Sequence, residues 1–483
     1  MRRLAAVVGV VVLLATGYLV LDVADIAPGV LTRVPPPTPT PTLSTPPVAL
    51  TTAPQPHAAP AGMPLAEATT TAPLPTRAGL QTALGRLLTD RRLGAAPAVV
   101  VRDAATGAVL LDENAASPRI AASTLKLLTA AAIDTVYPVG ATLTTKAVQG
   151  ATTDRLVLVA GGDTLLAPGA GDPTSVVGHA GLGDLATKTA TALRARGISA
   201  VTLSLDLSSA PGPLIAPTWA PSYRPLGITG AVSAIGLSTQ RAVPGMPGPA
   251  DPAASARSAF AAALRTAGLT VTVDPTDSLN IPGAGAAPKG APVYASVTSA
   301  PVGDQLALAL RESDNALTET LARQAAYGRG VTGGFAPTAA WVRSTLTTLG
   351  LDVTGLSAVD TSGLSRGDVV PPRLVSDVLI LGTGPRLPTL RATLRHVSIA
   401  GLSGSLTGRF DDPRTEAGVG VVRAKTGTLT GVSALAGTLV TADGRLLTFV
   451  VIADGVPSAV GTLGAREALD EFVASLAQCG CLA

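Results

Sequence analysis

The strand-forming segments of this 483-residue chain gather at the two ends of its foldable part, and that separation most limits the folds open to it. The run Ala98–Val101, the turn Asp103-Ala-Ala-Thr-Gly107 and Ala108–Leu111 read as one hairpin. Near the C-terminus, Gly420–Ala424 leads into a polar break. Ser433–Val440 and Leu446–Ile452 then form a second hairpin around Ala442-Asp-Gly-Arg445. Between them the pattern is helical, as it is at Leu80, Leu84, Leu87 and Leu88, from Ser123 to Ala132, and again from Arg466 to Leu476. One sheet assembled from the N- and C-terminal parts and covered by helices is the economical solution, a mixed α/β (α+β) architecture.

The middle differs. Leu156–Ala160 reads as a strand running into Gly161-Gly162-Asp163, followed by a helix from Leu182 to Arg196 and an alternating strand from Ala200 to Leu207. Pro- and Gly-rich segments surround Trp219 and residues 244–251. This pattern predicts an inserted region over 151–291, dividing the main domain into 78–150 and 292–483.

Ahead of the folded part, Arg2 and Arg3 precede 18 mostly apolar residues, Leu4–Leu21. The small-residue site Ala15-Thr16-Gly17 is buried inside that run, so residues 1–33 are expected to be an uncleaved signal anchor, with a cleaved signal peptide as the alternative. Either exports the remainder, because the arginines stay inside. Residues 34–76 hold thirteen prolines, ten threonines and no aromatic residue, which predicts an extended tether over 34–77. At about 3.1 Å per residue it would reach roughly 130 Å. A passive spacer is the simplest reading; wall association or O-glycosylation are the others.

Composition excludes several functions. A net charge of +3 without a basic, aromatic-interleaved run argues against nucleic-acid binding. Two cysteines, Cys479 and Cys481, cannot complete a zinc site, and no metal or cofactor is expected. A local disulfide or an idle pair is the plain reading of that tail, with an intermolecular bridge or lipid attachment still open. With 47% hydrophobic but 2% aromatic residues, the core must be packed with Ala, Val and Leu.

Three motifs carry chemistry, in the order Ser123-Thr-Leu-Lys126, Ser313-Asp314-Asn315, Lys425-Thr426-Gly427. Only five lysines occur, and two of them sit in these motifs. Lysine, unlike arginine, can be driven by burial to act as a base. A serine and a lysine three apart share one helix face, and Lys126 lies in the apolar frame Leu125, Leu127, Leu128, where an unpaired ammonium is costly. Each motif has a bland reading by itself. Ser313-Asp314-Asn315 could be a capping turn, and Lys425 a solvated edge-strand lysine. Their order and consistency carry the case.

On these motifs the chain resembles the low-molecular-mass class C penicillin-binding proteins, the D-alanyl-D-alanine carboxypeptidase/endopeptidase family. The 190-residue spacing from Ser123 to Ser313 resembles that family's large insertion, where class A β-lactamases are expected to have a far shorter one. Gly161-Gly162-Asp163, Asp360-Thr-Ser-Gly-Leu-Ser-Arg366, Gly404-Ser-Leu-Thr-Gly-Arg409-Phe410 and Ala424-Lys-Thr-Gly-Thr428 are similar to the family too, and the likeness spans residues 78–476. It implies a β-lactamase/transpeptidase-like catalytic domain that forms an acyl-enzyme with peptidoglycan stem peptides, and covalent inhibition by β-lactams. It also implies roles. Ser123 is the nucleophile and Lys126 its general base; Ser313 relays a proton toward the leaving amine, and Asn315 orients Lys126 and the substrate amide. Lys425 meets the terminal carboxylate, Thr426 and Thr428 are hydroxyl donors beside Gly427, and backbone N–H groups of Ser123 and Thr428 form the oxyanion hole.

Three rivals compete. Gly363-Leu-Ser365-Arg-Gly367 fits a nucleophile elbow, and a Ser365–Asp377–His396 triad can be written, but it packs into too little sheet. A β-lactamase-type hydrolase would share the acylation and differ in deacylation. A catalytically silent wall-binding scaffold would have no reason to keep all three motifs.

Overall fold

The structure is a computed structural model that describes residues 70–275 and 285–480. The apolar run Leu4–Leu21, nearly all of the tether and Cys481 lie outside the described residues. Among the described residues no helix is long and apolar enough to cross a membrane.

Helix α1 (Arg77–Leu88) starts at Thr76, whose hydroxyl oxygen accepts the Gly79 N–H at 3.0 Å. Strands β1 (Ala98–Asp103) and β2 (Val109–Glu113) form the first hairpin. Asp103 shapes its turn by accepting the backbone N–H and the hydroxyl of Thr106, and Gly107 takes the left-handed φ of 74° that closes it. A two-residue strand β3 (Arg119–Ile120) leads to a 3-10 turn over Ala122–Thr124 and then helix α2 (Leu125–Ile133). Ser123 therefore sits in that turn, just before the α-helix expected to begin with it.

The inserted region contributes β4 (Thr144–Gln149), β5 (Arg155–Val159), α3 (Leu182–Arg194), β6 (Ala200–Asp206), α4 (Pro252–Thr266), β7 (Thr270–Val273) and β8 (Val293–Thr298). These strands form a five-stranded sheet in the order β7-β6-β5-β4-β8. β5, β6 and β7 are parallel, joined by the α3 and α4 crossovers, and β4 runs antiparallel to both neighbours. The sheet reaches beyond the span 151–291 because its entering and leaving strands pair with each other, Thr144 opposite Thr298. Leu156, Leu158, Leu203, Leu185, Leu193 and Phe260 fill the core beneath it.

The chain then returns through α5 (Val302–Glu312), α6 (Asn315–Tyr327), α7 (Phe335–Thr348), β9 (Val369–Val370), α8 (Pro372–Thr383) and α9 (Pro388–Leu394). It ends with β10 (Arg423–Leu429), β11 (Val432–Val440), β12 (Leu446–Ala453) and α10 (Gly461–Gln478). The principal sheet runs β10-β11-β12-β1-β2, every pair antiparallel, so the two ends of the chain do build one sheet. Both faces are covered, and residues alternate between them. Val100, Ala434, Ala436, Val450 and Ile452 belong to the core with α2, α5, α6 and α8. Val99, Val101, Leu435, Phe449 and Val451 belong to the core with α1 and α10. Two-sided burial explains why these strands read as continuous apolar runs. Arg445, in the β11–β12 turn, donates to both Asp103 oxygens at 2.7 and 2.8 Å, which ties the two hairpin turns together through a buried ion pair. Cys479 after α10 is disulfide-bonded.

Candidate active site

All three motifs meet where α2, the α5–α6 junction and the edge strand β10 converge. Lys126 is fully buried, and its Nζ lies 2.8 Å from Ser123 Oγ. The same amine donates to Asn315 Oδ1 at 2.6 Å and to the Ser362 carbonyl at 2.7 Å. Burial pulls its pKa down to about 8, against the opposing charges of Asp360, Glu319, Asp314 and Asp368. About a tenth of the amine is thus neutral at pH 7, far more than for an ordinary lysine, and a general base needs that form.

Ser313 ends α5 in a left-handed conformation, φ 58°, and α6 begins two residues later. The capping reading holds for one residue of this tripeptide. Asp314 caps α6 by accepting the Leu317 N–H at 2.9 Å, and it pairs with Arg241 Nη2 at 2.8 Å. The turn it fixes sends its neighbours the other way. Ser313 Oγ accepts from Lys425 Nζ at 2.8 Å, and Asn315 spans the gap between Lys126 and the Ile228 carbonyl, to which its Nδ2 donates at 2.7 Å.

Lys425 is no solvated edge lysine; it has no exposed surface. Its amine also donates to the Thr426 carbonyl at 2.9 Å, and burial, then the Lys126 charge, holds its pKa well below the usual lysine value. Gly427 is required by close approach, since a Cβ there would stand 2.6 Å from the Ala121 carbonyl oxygen. The nucleophile turn can rest on β10 only because that atom is missing. Thr426 Oγ1 donates to Ser405 Oγ at 2.8 Å, and Thr428 is exposed at the same strand, opposite Ser433.

The resemblance marked Asp360–Arg366 without giving it a role; that stretch is the scaffold behind these groups. Asp360, with no exposed surface, accepts from the N–H groups of Gly363 (2.7 Å) and Ser365 (2.9 Å), the Ser365 hydroxyl (2.6 Å) and Trp219 Nε1 (2.8 Å). Gly363, at φ 76°, presses on the nucleophile turn, and a Cβ there would lie 2.0 Å from the Ala122 carbonyl oxygen. The inserted region is therefore part of the site, through Ile228, Arg241 and Trp219. No periodicity in its Pro- and Gly-rich segments signals those contacts; only the lone tryptophan stood out. By contrast, Asp163 of Gly161-Gly162-Asp163 is buried and accepts the Leu165 N–H at 2.8 Å.

The rival triad does not assemble. Ser365 is buried against Asp360, while Asp377 forms an ion pair with Arg102. His396 is surrounded by the charges of Asp304, Arg311, Arg395 and Arg423. Among the described residues no cluster suited to a metal ion occurs.

A half-buried serine beside a fully buried lysine, on a helix-covered antiparallel sheet with a second sheet inserted, defines a serine hydrolase of the penicillin-binding type. Residues 80–246 and 223–476 match the D-Ala-D-Ala carboxypeptidase 3 (S13) family, and the chain belongs to that family. It is 34% identical over 412 residues to Carboxypeptidase DacB of Mycolicibacterium smegmatis, covering 84% of this chain and 85% of that relative. Penicillin binding protein 4 (dacB) from Haemophilus influenzae shares the fold, with a TM-score of 0.64 at 19% identity over 82% of this chain and 98% of the other. A second structure of that protein, complexed with a novel β-lactam, gives 0.58 at 21% identity over 81% and 98%.

Proposed function

We propose that this chain is a serine-type D-alanyl-D-alanine carboxypeptidase that acts on peptidoglycan stem peptides through an acyl-enzyme at Ser123, and that β-lactams acylate the same oxygen. The observation that carries this reading is the 2.8 Å contact between Ser123 Oγ and a fully buried Lys126 amine whose proton affinity is reduced. In its neutral form Lys126 takes the Ser123 proton as Oγ attacks the penultimate D-alanyl carbonyl. The oxyanion would be met by the N–H groups of Ser123 and Thr428, donors that contribute on the order of 10²–10³ each in rate. Ser313, hydrogen-bonded to Lys425, would pass its proton to the departing D-alanine amine and recover one from the protonated Lys126, which returns to its neutral form. Water then releases the shortened peptide, with Lys126 again as base. Lys425, with Thr426 beside it, supplies positive potential for the terminal carboxylate. Asn315 holds Lys126 on one side and is available to the substrate amide on the other. Cleavage of peptide cross-links would pass through the same acyl-enzyme.

Ser123→Ala tests this directly: it should release no D-alanine from a pentapeptide and form no adduct with labelled penicillin. A stoichiometric adduct in that variant would move the nucleophile elsewhere.

The same reading places the enzyme outside the cytoplasm, held to the membrane by residues 1–33 and spaced from it by the Pro/Thr-rich tether. Arg2, Arg3, the apolar run and the thirteen prolines support it. Removing residues 1–33 should give soluble, active protein; an insoluble product would mean that the folded part has its own membrane contact.

A further inference from the structure

The loop that presents the Ser362 carbonyl to Lys126 is pinned at two consecutive peptide groups. In the first, the Thr361 carbonyl accepts from Thr129 Oγ1 at 2.7 Å, and the Ser362 N–H donates to Glu319 Oε1 at 2.8 Å. In the second, the Ser362 carbonyl accepts from Lys126 at 2.7 Å, and the Gly363 N–H donates to Asp360 Oδ1 at 2.7 Å. Glu319, one turn into α6 and 1% exposed, also accepts the Thr361 N–H at 2.8 Å on Oε1 and the Thr361 hydroxyl at 2.6 Å on Oε2.

A glutamine could make all of these contacts. Its Oε1 would take both N–H groups, and its Nε2 would donate to the threonine oxygen. Only the negative charge distinguishes glutamate here, and a buried carboxylate carries a desolvation cost that an amide avoids. The charge faces Lys126 across the Ser362 residue. The other charged groups acting on Lys126 are Asp360, Asp314 and Asp368, with Lys425 repelling it; Arg323 and Asp360 act on Glu319 itself.

We propose that Glu319 is a positioning residue for the general base: it aims the Ser362 carbonyl at Lys126, and its charge sustains enough proton affinity in the buried amine to accept the Ser123 proton. The proton moves from Ser123 Oγ to Lys126 Nζ as the acyl bond forms, and the ammonium so created is stabilised by Glu319. Burial raises the Glu319 pKa to about 7, so the carboxylate is substantially ionised across the range in which Lys126 titrates.

This proposal rests on Lys126 as general base. Its test is the pH dependence of second-order acylation by a fluorescent penicillin in the full chain, for the parent, Glu319→Gln and Glu319→Asp. The parent should show an acidic limb. In Glu319→Gln, where the contacts survive and the charge does not, that limb should move about one pH unit lower, and the plateau should fall because the base is weaker. In Glu319→Asp, where charge survives and reach shortens, the rate should drop with the limb in place. An unmoved limb in Glu319→Gln overturns the proposal even if the rate falls, since a purely structural role predicts that pattern. Should Glu319→Gln not fold by circular dichroism, Glu319→Asp decides: a limb displaced to lower pH overturns the proposal, and a limb at the parent position supports it. A parent without an acidic limb would instead remove the general-base reading, and this proposal with it.

Discussion

Lys126→Met should remove a pH dependence from folding stability as well as abolish acylation. Methionine keeps most of the buried apolar stem and discards the ammonium. In the folded protein burial lowers the Lys126 pKa from 10.5 to about 8. A drop of about 2.5 pH units at roughly 1.4 kcal/mol each corresponds to about 3 kcal/mol. The sign follows from proton binding. Between pH 8 and 10.5 the unfolded lysine holds a proton that the folded one has released, so stability rises with pH across that window. Below pH 8 both forms are protonated and the full cost of the buried ammonium is present; above 10.5 it is gone. The three hydrogen bonds lost with the amine, to Ser123, Asn315 and Ser362, give the variant an offset that does not vary across this window. Lys425 loses a like-charged neighbour in the variant, which flattens the variant's own profile and widens the difference. Urea unfolding of both proteins at steps from pH 7 to 10.5 measures this. The stability of the parent relative to Lys126→Met should climb by about 3 kcal/mol across the window. A difference that stays flat would mean that Lys126 is not desolvated in the folded protein, and its basicity would need another explanation.

Three further outcomes follow from the same geometry. Lys425→Met should lower kcat/KM for D-alanine release roughly 10- to 150-fold, the loss of one charge-assisted contact, without lowering Tm, and a substrate with an amidated C-terminus should lose little further in the variant. Gly363→Ala should cut penicillin acylation severely, because the added Cβ meets the Ala122 carbonyl oxygen at 2.0 Å; Gly330→Ala, also at positive φ but in open space, should leave the acylation rate unchanged. Ser365→Ala should keep full labelling stoichiometry while losing some stability, since Asp360 gives up a 2.6 Å donor; lost labelling would revive the nucleophile-elbow reading.

Much of the framework was legible because it depends on local patterns. Apolar runs buried on both sides announced β1, β11 and β12, and Asp103 with Gly107 announced a turn. The serine–lysine spacing alone put both groups on one surface, although a 3-10 turn presents Ser123 instead of the α-helix itself. What stayed hidden depends on tertiary contact. Arg241 and Ile228 come from a Pro- and Gly-rich stretch without periodicity, and they matter only because that stretch folds back on Asp314 and Asn315. Glu319 looks like an ordinary helix residue until α6 buries it against the Thr361–Ser362 backbone. The second sheet extends past the expected span 151–291 for a similar reason, as β4 and β8 are separated by more than a hundred residues and recognise each other only by pairing.

The central claim is that Ser123, activated by Lys126, forms a persistent acyl-enzyme. Intact-mass spectrometry after mixing with penicillin, followed by peptide mapping and a time course of adduct loss, tests it most directly. The account predicts one adduct per chain, on Ser123, surviving long after free penicillin is removed. An adduct on another residue, or none in correctly folded protein, would contradict the account. An adduct on Ser123 that clears as fast as penicillin is consumed would make the chain a β-lactamase in function.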